Sequence, residues 1–319
     1  MPEDAIITKQ LTKAFGRYKA VDSLNLTVRD GEMFGLLGPN GAGKTTTVRM
    51  LCTLLVPTSG FASVSGYDVT KQAAEVRKQI GVVSEGVLLY KDLTVEENLL
   101  FFAGLYEINK REAREQIKEL MEFFEFREKA KRLVGHLSTG WAKKAMVCAA
   151  LLHDPSVLFL DEVTSGLDPQ SAIALRKFTR KLCNQGVTVI WTTHNMEEPE
   201  KICDRIGIVH SGRMIQIGTP AELKRSVSEM SLIEIETPAL SEIQLERIGN
   251  IQGVMKISYK NSILKVSGEK SEALMENVMK TLLSERVQIR SVNSKDPTLE
   301  EAFIHLTGGE MKLERAIGM

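Results

Sequence analysis

One eight-residue segment constrains the fold of this chain more than any other: Gly38-Pro-Asn-Gly-Ala-Gly-Lys-Thr45, which fits the pattern G-x-x-x-x-G-K-[ST]. It lies between EMFGLLG, which is typical of a buried strand, and TTTVRMLCTLL, whose apolar residues recur at helical spacing. Glycines let consecutive backbone N–H groups turn inward toward phosphate oxygens, and the N-terminus of a helix favours negative charge. The segment therefore predicts a strand, a phosphate-binding loop and a helix.

The chemistry of the loop residues predicts their contacts. The Lys44 ammonium is expected to reach the β- and γ-phosphates of a nucleotide, and the Thr45 hydroxyl is expected to hold Mg²⁺. The residues predicted to bind the nucleotide here are Gly38, Pro39, Asn40, Gly41, Ala42, Gly43, Lys44, Thr45 and Thr46.

A second segment, Val157-Leu-Phe-Leu-Asp161-Glu162, is a predicted buried strand that ends in two carboxylates. Asp161 is expected to hold Mg²⁺ together with Thr45, through water. Glu162 is expected to polarise an attacking water, a general-base role that contributes about 10²–10⁴-fold in rate. Many surface strands end in Asp-Glu, so the pair alone is weak evidence. Beside a phosphate-binding loop it predicts the second half of a nucleoside-triphosphate site.

The remaining pattern predicts an α/β domain with a helical insertion. Residues 1–30 alternate apolar and polar, which indicates antiparallel strands. Strands predicted at residues 157–160 and 187–191 alternate with helices, which indicates a mostly parallel core. Residues 94–134 instead carry helical spacing, so a helical subdomain is predicted at about residues 94–150.

A second, smaller domain is predicted to follow the first, which spans residues 1–226. Over residues 227–309 the pattern predicts strand, helix, strand, strand, helix and strand, with the last strand in VQIRSV. This order is that of a ferredoxin-like α+β domain. Thr298 and Glu301 predict a capping box at the start of the helix EEAFIHL. Residues 310–319 are predicted to be a frayed tail.

Charge and cysteine usage exclude several classes of protein. Lys plus Arg and Asp plus Glu both number 41, so the chain lacks the basic excess of a nucleic-acid-binding protein. The four cysteines show no C-x-x-C spacing, which predicts buried, reduced thiols. The start, MPEDAIITKQ, is unlike a signal peptide, and apolar runs such as residues 99–105 are shorter than the roughly 20 residues that span a bilayer. We therefore expect a cytoplasmic protein whose membrane role depends on a partner.

Four further motifs, taken with the two segments above, give the chain a family resemblance over about residues 5–225. They are Leu137-Ser-Thr-Gly-Trp141, Ser165-Gly-Leu-Asp168, His194 after the strand VTVIWTT, and Phe15 in KAFGRYKAVD. Taken in their order along the chain, they resemble the motifs of the nucleotide-binding subunit of an ATP-binding-cassette (ABC) transporter. The resemblance implies an α/β fold of the P-loop NTPase class, with a mixed sheet core, an antiparallel β subdomain and a helical subdomain.

The resemblance also implies ligands, partners and a location. ATP and Mg²⁺ are the implied ligands. Phe15 is expected to stack on adenine, with Tyr18 as the second candidate, and His194 is expected to contact the γ-phosphate. The implied partners are a second cassette and a membrane permease subunit, which holds the cassette at the inner face of the cell membrane. No nucleic-acid partner is expected.

Pairing of two cassettes gives the signature-like segment its implied role. In the family, two cassettes pair head to tail around two ATP molecules, so the Ser138 hydroxyl and the Gly140 N–H face the ATP of the other subunit. Asp168 is expected at the same interface. A plain helix cap by Ser138 is compatible with this role. A homodimer is favoured over a heterodimer, because symmetric homodimers dominate among soluble oligomers.

Four residues depart from the family pattern. Glu85 stands at the glutamine of the Q-loop; a carboxylate about 4 Å from a phosphate charge is repelled by about 4 kcal/mol at an effective dielectric of about 20. Glu85 is therefore expected either to ligate Mg²⁺ in the catalytic site or to turn away. Thr139 replaces a glycine and costs about 1–2 kcal/mol if its φ is positive. Trp141 is expected to pack across the dimer interface or partly block it, and Val163 replaces a proline and loosens its turn.

These departures predict ATP binding of ordinary affinity with slow or partner-dependent hydrolysis. They leave open a pseudo-ATPase that binds ATP with little hydrolysis, although Glu162 and His194 favour an enzyme. A soluble cassette acting on nucleic acid or ribosomes is the other alternative; such relatives carry two cassettes or a long coiled-coil insertion, and this chain has neither. The segment from Asp296 to Gly308 resembles the C-terminal signature of cassettes that serve drug, sodium or polysaccharide exporters. That resemblance implies an exporter and a role for the second domain in dimerisation or regulation.

Overall fold

The structure, a computed structural model, describes residues 4–84, 89–225, 230–269, 272–295 and 298–307. The chain divides into two compact units, Met1–Thr219 and Pro220–Met319. The helix at Pro220–Arg225, which the sequence-based boundary at residue 226 placed in the first domain, groups with the second unit because it packs on the last helix of that unit. The predicted tail at residues 310–319 lies outside the described residues.

The elements of the first unit follow the predicted alternation of strands and helices. Its strands are β1 (Asp4–Phe15), β2 (Tyr18–Arg29), β3 (Met33–Leu37), β4 (Ser59–Val64), β5 (Tyr67–Asp68), β6 (Ile80–Val83), β7 (Val157–Asp161), β8 (Thr188–Thr193), β9 (Arg205–His210) and β10 (Arg213–Gly218). Its helices are α1 (Lys44–Leu51), α2 (Ala73–Gln79), α3 (Val95–Leu105), α4 (Lys110–Phe123), α5 (Thr139–Leu151), α6 (Pro169–Asn184) and α7 (Glu197–Ile202).

The central sheet carries the site, and its strand order is β10-β9-β3-β8-β7-β6. All neighbours are parallel except β9 and β10, so the sheet is mixed, as predicted. Strands β3, β7 and β8 are buried along their whole length, which explains their continuous apolar sequences. Because Asp161 pairs with Thr192 and Leu37 with Thr193, the carboxyl ends of these three strands lie side by side.

Two further parts of the first unit agree with the sequence analysis. The alternating residues at the start of the chain form β1 and β2, an antiparallel pair in the sheet β2-β1-β4-β5. The predicted insertion forms α3 and α4, and α3 packs on α5. Thr94 caps α3 in a capping box with Glu97, and Asn109 caps α4.

The second unit has the ferredoxin-like order predicted from the sequence. Its elements are α8 (Pro220–Arg225), β11 (Met230–Glu236), α9 (Glu242–Gly249), β12 (Val254–Lys260), β13 (Ile263–Glu269), α10 (Glu272–Ser284), β14 (Ser291–Lys295) and α11 (Leu299–Leu306). The strands pair antiparallel in the order β12-β13-β11-β14. One face of α10, formed by Leu274, Val278 and Leu282, is buried against Ile233 and Val266 of the sheet. The predicted capping box at Thr298 and Glu301 is present.

The last predicted strand is the clearest error of the sequence analysis. VQIRSV was predicted as the strand, but β14 begins at Ser291. The backbone N–H of Val287 still bonds to the carbonyl of Leu282, and Arg286 has a φ of 55°, so this segment closes the end of α10. The N–H of Arg290 makes the first bond to β11, at 2.8 Å to the carbonyl of Glu236.

Two expectations about the whole chain can be compared with the described residues. Among them, no helix combines the length and the apolar character needed to cross a bilayer. The four cysteines, Cys52, Cys148, Cys183 and Cys203, are buried and free, as predicted. Burial raises the pKa of the Cys148 thiol well above its ordinary value.

Candidate nucleotide-binding site

The loop between β3 and α1 has the shape that its glycines predict. Gly41 and Gly43 have φ values of 79° and 104°, and Gly43 directly precedes α1. A Cβ atom on Gly43 would lie 2.5 Å from the carbonyl oxygen of Ala20, and one on Gly38 would lie 2.3 Å from that of Val209. Neighbouring backbone therefore fills the space where a side chain would go, and the loop N–H groups are held in place.

Lys44, the first residue of α1, lies beneath this loop with 4% of its surface exposed. Its ammonium donates hydrogen bonds to the carbonyl oxygens of Gly38, at 2.8 Å, and Pro39, at 3.1 Å. The same nitrogen lies 3.2 Å from Oε1 of Glu162. A phosphate that binds this ammonium must therefore compete with the Glu162 carboxylate.

Thr45 and Asp161 meet at the carboxyl end of β7. The Thr45 hydroxyl donates to Oδ1 of Asp161 at 3.3 Å, and the hydroxyl of Thr192 donates to the same oxygen. Asp161 has only 5% of its surface exposed. A hydroxyl and a carboxylate are oxygen donors of the kind that Mg²⁺ prefers beside phosphate, so these two residues fit that ion.

Glu162 and His194 stand next to this pair. Glu162 has a φ of 52°, a left-handed conformation that costs a non-glycine residue about 1–3 kcal/mol and is often found at functional sites. Its N–H bonds to the carbonyl, at 3.2 Å, and the hydroxyl, at 3.1 Å, of Thr192. Its Oε2 lies 2.8 Å from Nδ1 of His194. One carboxylate thus bridges Lys44 and His194.

An open pocket of about 300 Å³ extends from the loop to the two predicted adenine-stacking residues. Phe15 and Tyr18 are 52% and 61% exposed, and both line the pocket. The ammonium of Lys13 lies 5.2 Å from the centre of the Phe15 ring. The other residues that line the pocket are Ala20, Asn40, Gly41, Ala42, Gly43, Lys44, Thr45, Thr46 and Glu162.

Ser138, Gly140 and Asp168 occupy the starts of two neighbouring helices rather than this pocket. Ser138 caps α5 through the N–H of Trp141, and Asp168 caps α6 by accepting from the N–H of Ser171 at 3.0 Å. Hydrogen bonds from Ser171 lower the pKa of Asp168. Gly140 is buried against Ser171. The cap predicted for Ser138 is present, and its role toward a second cassette stays a prediction.

The residues that depart from the family pattern have different surroundings. Thr139 is the first residue of α5 and does not have a positive φ, so the predicted strain does not arise. The Trp141 ring packs within its own chain, 6.0 Å from Phe126 and 4.4 Å from the ammonium of Lys144. Val163 is fully buried. Glu85, predicted as a catalytic and metal-binding residue, lies outside the described residues.

Two residues that hold the site together, Thr192 and Glu198, were not predicted from the sequence. Thr192 bonds to both Asp161 and Glu162, and Glu198 accepts hydrogen bonds from Thr164 and Thr193. The only sequence signal for Thr192 is its place at the end of a buried strand beside the histidine. Its partners come from a neighbouring strand, which the sequence of β8 does not reveal.

Comparisons with known proteins identify the family. A family model described as ABC transporter matches residues 21–165, and one described as the C-terminal domain of DrrA1-3-like ATP-binding proteins matches residues 218–307. The linearmycin resistance ATP-binding protein LnrL of Bacillus subtilis (strain 168) is 35% identical over 308 residues, which cover 95% of this chain and 98% of that protein. The chain belongs to the ABC transporter ATP-binding subunits.

Other relatives and solved structures agree with this assignment. The daunorubicin resistance ATP-binding protein DrrA3 of Streptomyces coeruleorubidus is 35% identical over 99% of this cassette and 100% of that protein. The Nod factor export ATP-binding protein I of Burkholderia lata is 37% identical, and the match covers 98% of this cassette and 100% of that protein. A solved ATP-binding subunit of an ABC transporter, 29% identical, superimposes with a TM-score of 0.64 over 70% of this cassette and 93% of that chain. The predicted family and fold class are therefore confirmed.

Membership of the family gives the cassette its general activity. ABC cassettes bind ATP and hydrolyse it, work with membrane permease subunits and form dimers. The residues brought together at the ends of β3, β7 and β8 suit this chemistry: a lysine and backbone N–H groups for phosphate, oxygen ligands for a metal ion, and a carboxylate next to a histidine.

Proposed function

We propose that this cassette hydrolyses ATP at the site around Lys44 and uses the energy to drive a separate membrane permease that exports its cargo. The observation that carries the proposal is the convergence of Lys44, Thr45, Asp161, Glu162 and His194 at three adjacent strand ends. Phosphoryl transfer needs positioning and charge stabilisation more than covalent chemistry by the protein, and these groups supply both.

Each residue has a role that its contacts support. The Lys44 ammonium and the loop N–H groups bind the β- and γ-phosphates, and Phe15 stacks on the adenine. Glu162 accepts a proton from the attacking water, and His194, at 2.8 Å, orients this carboxylate and reaches the γ-phosphate. Thr45 and Asp161 would hold Mg²⁺, which neutralises charge on the phosphate oxygens when bound.

We propose that the site is completed by a second cassette. Ser138 and Gly140 lie at the N-terminus of α5, where a helix favours negative charge, and they do not line their own chain's pocket. They would therefore face the ATP bound by the partner, with Asp168 at the same interface. A homodimer is the simpler assembly; in a heterodimer the altered signature would affect only the site whose Lys44 counterpart belongs to the other chain.

The relatives support an exporter as the permease partner. Their names refer to linearmycin resistance, daunorubicin resistance and Nod factor export, and they match this cassette almost end to end. A groove of about 330 Å³ between α3 and α4 offers the permease a surface of mixed character: it is lined by the apolar Leu100, Phe101 and Ile108 and by the charged Glu97, Lys110 and Arg114. Such a partner would place the cassette at the cytoplasmic face of the membrane.

Replacing Glu162 by Gln tests the proposal. We expect the purified full chain to hydrolyse Mg-ATP, and Glu162→Gln to lower the rate by about 10²-fold or more. ATP binding, measured with a fluorescent analogue, is expected to be at least as tight, because the variant removes the charge that competes for Lys44. Sedimentation of this variant with Mg-ATP should show a dimer.

The matched control is Glu197→Gln, since the Glu197 side chain is 79% exposed and pairs only with Lys201 among the contacts described for it. This control should hydrolyse ATP like the wild type. Equal rates for wild type and Glu162→Gln would contradict an ATPase and favour a module that only binds ATP.

A further inference from the structure

A buried carboxylate behind the site has no role in the proposal above. Glu198 lies in α7 with 4% of its surface exposed. Its Oε2 accepts hydrogen bonds from two hydroxyls, those of Thr164 at 2.8 Å and Thr193 at 3.1 Å, and its Oε1 accepts from the guanidinium of Arg176 at 3.3 Å. A buried carboxylate is costly unless it is hydrogen-bonded, so this arrangement fixes all four side chains.

The partners of Glu198 belong to the segments that carry the reacting groups. Thr193 directly precedes His194, and Thr164 lies between Glu162 and Asp168 in the chain. Arg176 lies on α6, the helix that Asp168 caps. One carboxylate therefore joins the histidine segment, the segment after the general base, and the helix that presents Asp168.

We propose that Glu198 is a positioning residue for ATP hydrolysis. Through the hydroxyls of Thr193 and Thr164, Glu198 holds His194 in place relative to Glu162 and Asp168. This inference rests on the proposed hydrolysis and deepens it.

The two threonines at the end of β8, Thr192 and Thr193, form hydrogen bonds on opposite faces of the strand. Successive side chains of a strand point to opposite faces, so Thr192 reaches Asp161 and Glu162 while Thr193 reaches Glu198. The Thr193 hydroxyl also accepts from the N–H of Asn195 at 3.0 Å. The residues on both sides of His194 are thus anchored, and Nδ1 of His194 lies 2.8 Å from Oε2 of Glu162.

The hydrogen-bond network around Glu198 is sensitive to small chemical changes in its members. Both hydroxyls donate to this one oxygen, and Arg176 donates to the other. In Glu198→Gln, the negative charge that pairs with Arg176 is lost. The new NH₂ group either opposes the guanidinium of Arg176, where a donor meets a donor, or faces the two threonines, whose hydroxyls must then accept instead of donate. In Thr164→Val, the shape is kept and one anchor is lost.

The test compares Thr164→Val with Thr164→Ser in the full-length chain, with Glu198→Gln as the second variant and the exposed Glu197→Gln as its control. A misplacement of about 1 Å in an active site costs on the order of 100-fold in rate, and we expect the loss of one anchor to lower kcat about tenfold. KM and the affinity for a fluorescent ATP analogue should stay unchanged, because the phosphate-binding loop is not touched. Thr164→Ser, which keeps the hydroxyl, should restore kcat.

The outcomes separate this inference from the proposed function. A wild-type chain that does not hydrolyse Mg-ATP overturns the proposed function and this inference with it. Wild-type hydrolysis that persists unchanged in both Thr164→Val and Glu198→Gln overturns the inference alone. A fall in melting temperature with kcat per folded molecule unchanged also overturns it, since the network would then only stabilise the fold. If Thr164→Val does not fold, Glu198→Gln carries the same comparison.

Discussion

Gly140 shows how a residue of the signature-like segment is constrained by its own chain. A Cβ atom at this position would lie 2.6 Å from Oγ and 3.0 Å from Cβ of Ser171, in the first turn of α6. Neither φ nor a ligand is needed to explain the glycine, because the side chain of Ser171 occupies the space that a Cβ atom would need. The family motif predicts a glycine here, and the structure adds the steric reason for it.

Replacing Gly140 by Ala is therefore expected to lower the free energy of unfolding by about 1–3 kcal/mol, the usual cost of overpacking. Chemical denaturation measures this change directly. The cost should shrink when Gly140→Ala is introduced into a Ser171→Gly background, since that variant removes both clashing atoms.

The matched control is Gly104→Ala in α3, where an added Cβ would meet nothing within 4 Å. Because alanine is favoured over glycine in a helix by about 1 kcal/mol, this variant should be neutral or more stable. The steric explanation is wrong if the two alanine variants change stability by the same amount.

The shape of the loop between β3 and α1 was predictable because a local motif defines it. The glycines between Gly38 and Thr45 predict the positive-φ turns of this loop, and the structure places Phe15 and Glu162 in the lining of the same pocket. Thr192 and Glu198 were not predictable, because their partners lie on other elements. Their hydrogen bonds depend on which strands are neighbours, and a single sequence does not contain that information.

At the scale of elements, local signals again decided which predictions succeeded. The capping box at Thr298 and the helix α10 both depend on residues a few positions apart, and both are present as predicted. The last strand was misplaced because VQIRSV has strand-like alternation, while the end of α10 and the pairing with β11 determine where β14 begins. Tertiary contacts thus overrode the local pattern.

The capping boxes of α3 and α9 predict different responses to acid. In α3 the carboxylate of Glu97 accepts from the N–H and hydroxyl of Thr94, and these bonds lower its pKa. Because its pKa is lowered in the folded chain, the carboxylate stabilises the helix start when the pH is above the ordinary pKa of a glutamate. This stabilisation is lost as the pH falls through the folded-state pKa. In α9, Gln244 takes the same place opposite Ser241 and does not titrate.

We expect local opening at the start of α3, measured by amide hydrogen exchange, to become more frequent when the pH falls below the ordinary pKa of a glutamate. Local opening at the start of α9 should not change over the same pH range. At neutral pH, Thr94→Ala and Ser241→Ala should each destabilise their helix start by about 1 kcal/mol. The cost of Thr94→Ala should decrease on acidification, whereas that of Ser241→Ala should stay constant. Parallel pH profiles for the two helices would contradict this explanation.

At the scale of the whole molecule, the nucleotide site and the ferredoxin-like sheet belong to units with separate cores. One cluster of buried side chains joins β1, β3, α1 and β7, and another joins β11, β13 and α10. Each cluster contains residues of one unit only. From the sequence, two domains were predicted with a boundary at residue 226, whereas the two compact units meet between Thr219 and Pro220.

Leu282 and its neighbour Leu283 test whether the second core is independent of ATP binding. Leu282 is fully buried in the second core, whereas Leu283 is 62% exposed on the same helix. We expect Leu282→Ala to lower the free energy of unfolding of the second unit by about 2–5 kcal/mol through the cavity it leaves. Leu283→Ala, at an exposed position, should change this free energy by about 0.5 kcal/mol or less.

Calorimetry with and without Mg-ATP separates the unfolding of the two units, because the nucleotide stabilises only the unit that binds it. If Leu282→Ala also abolished ATP binding, the two cores would have to be treated as one cooperative structure.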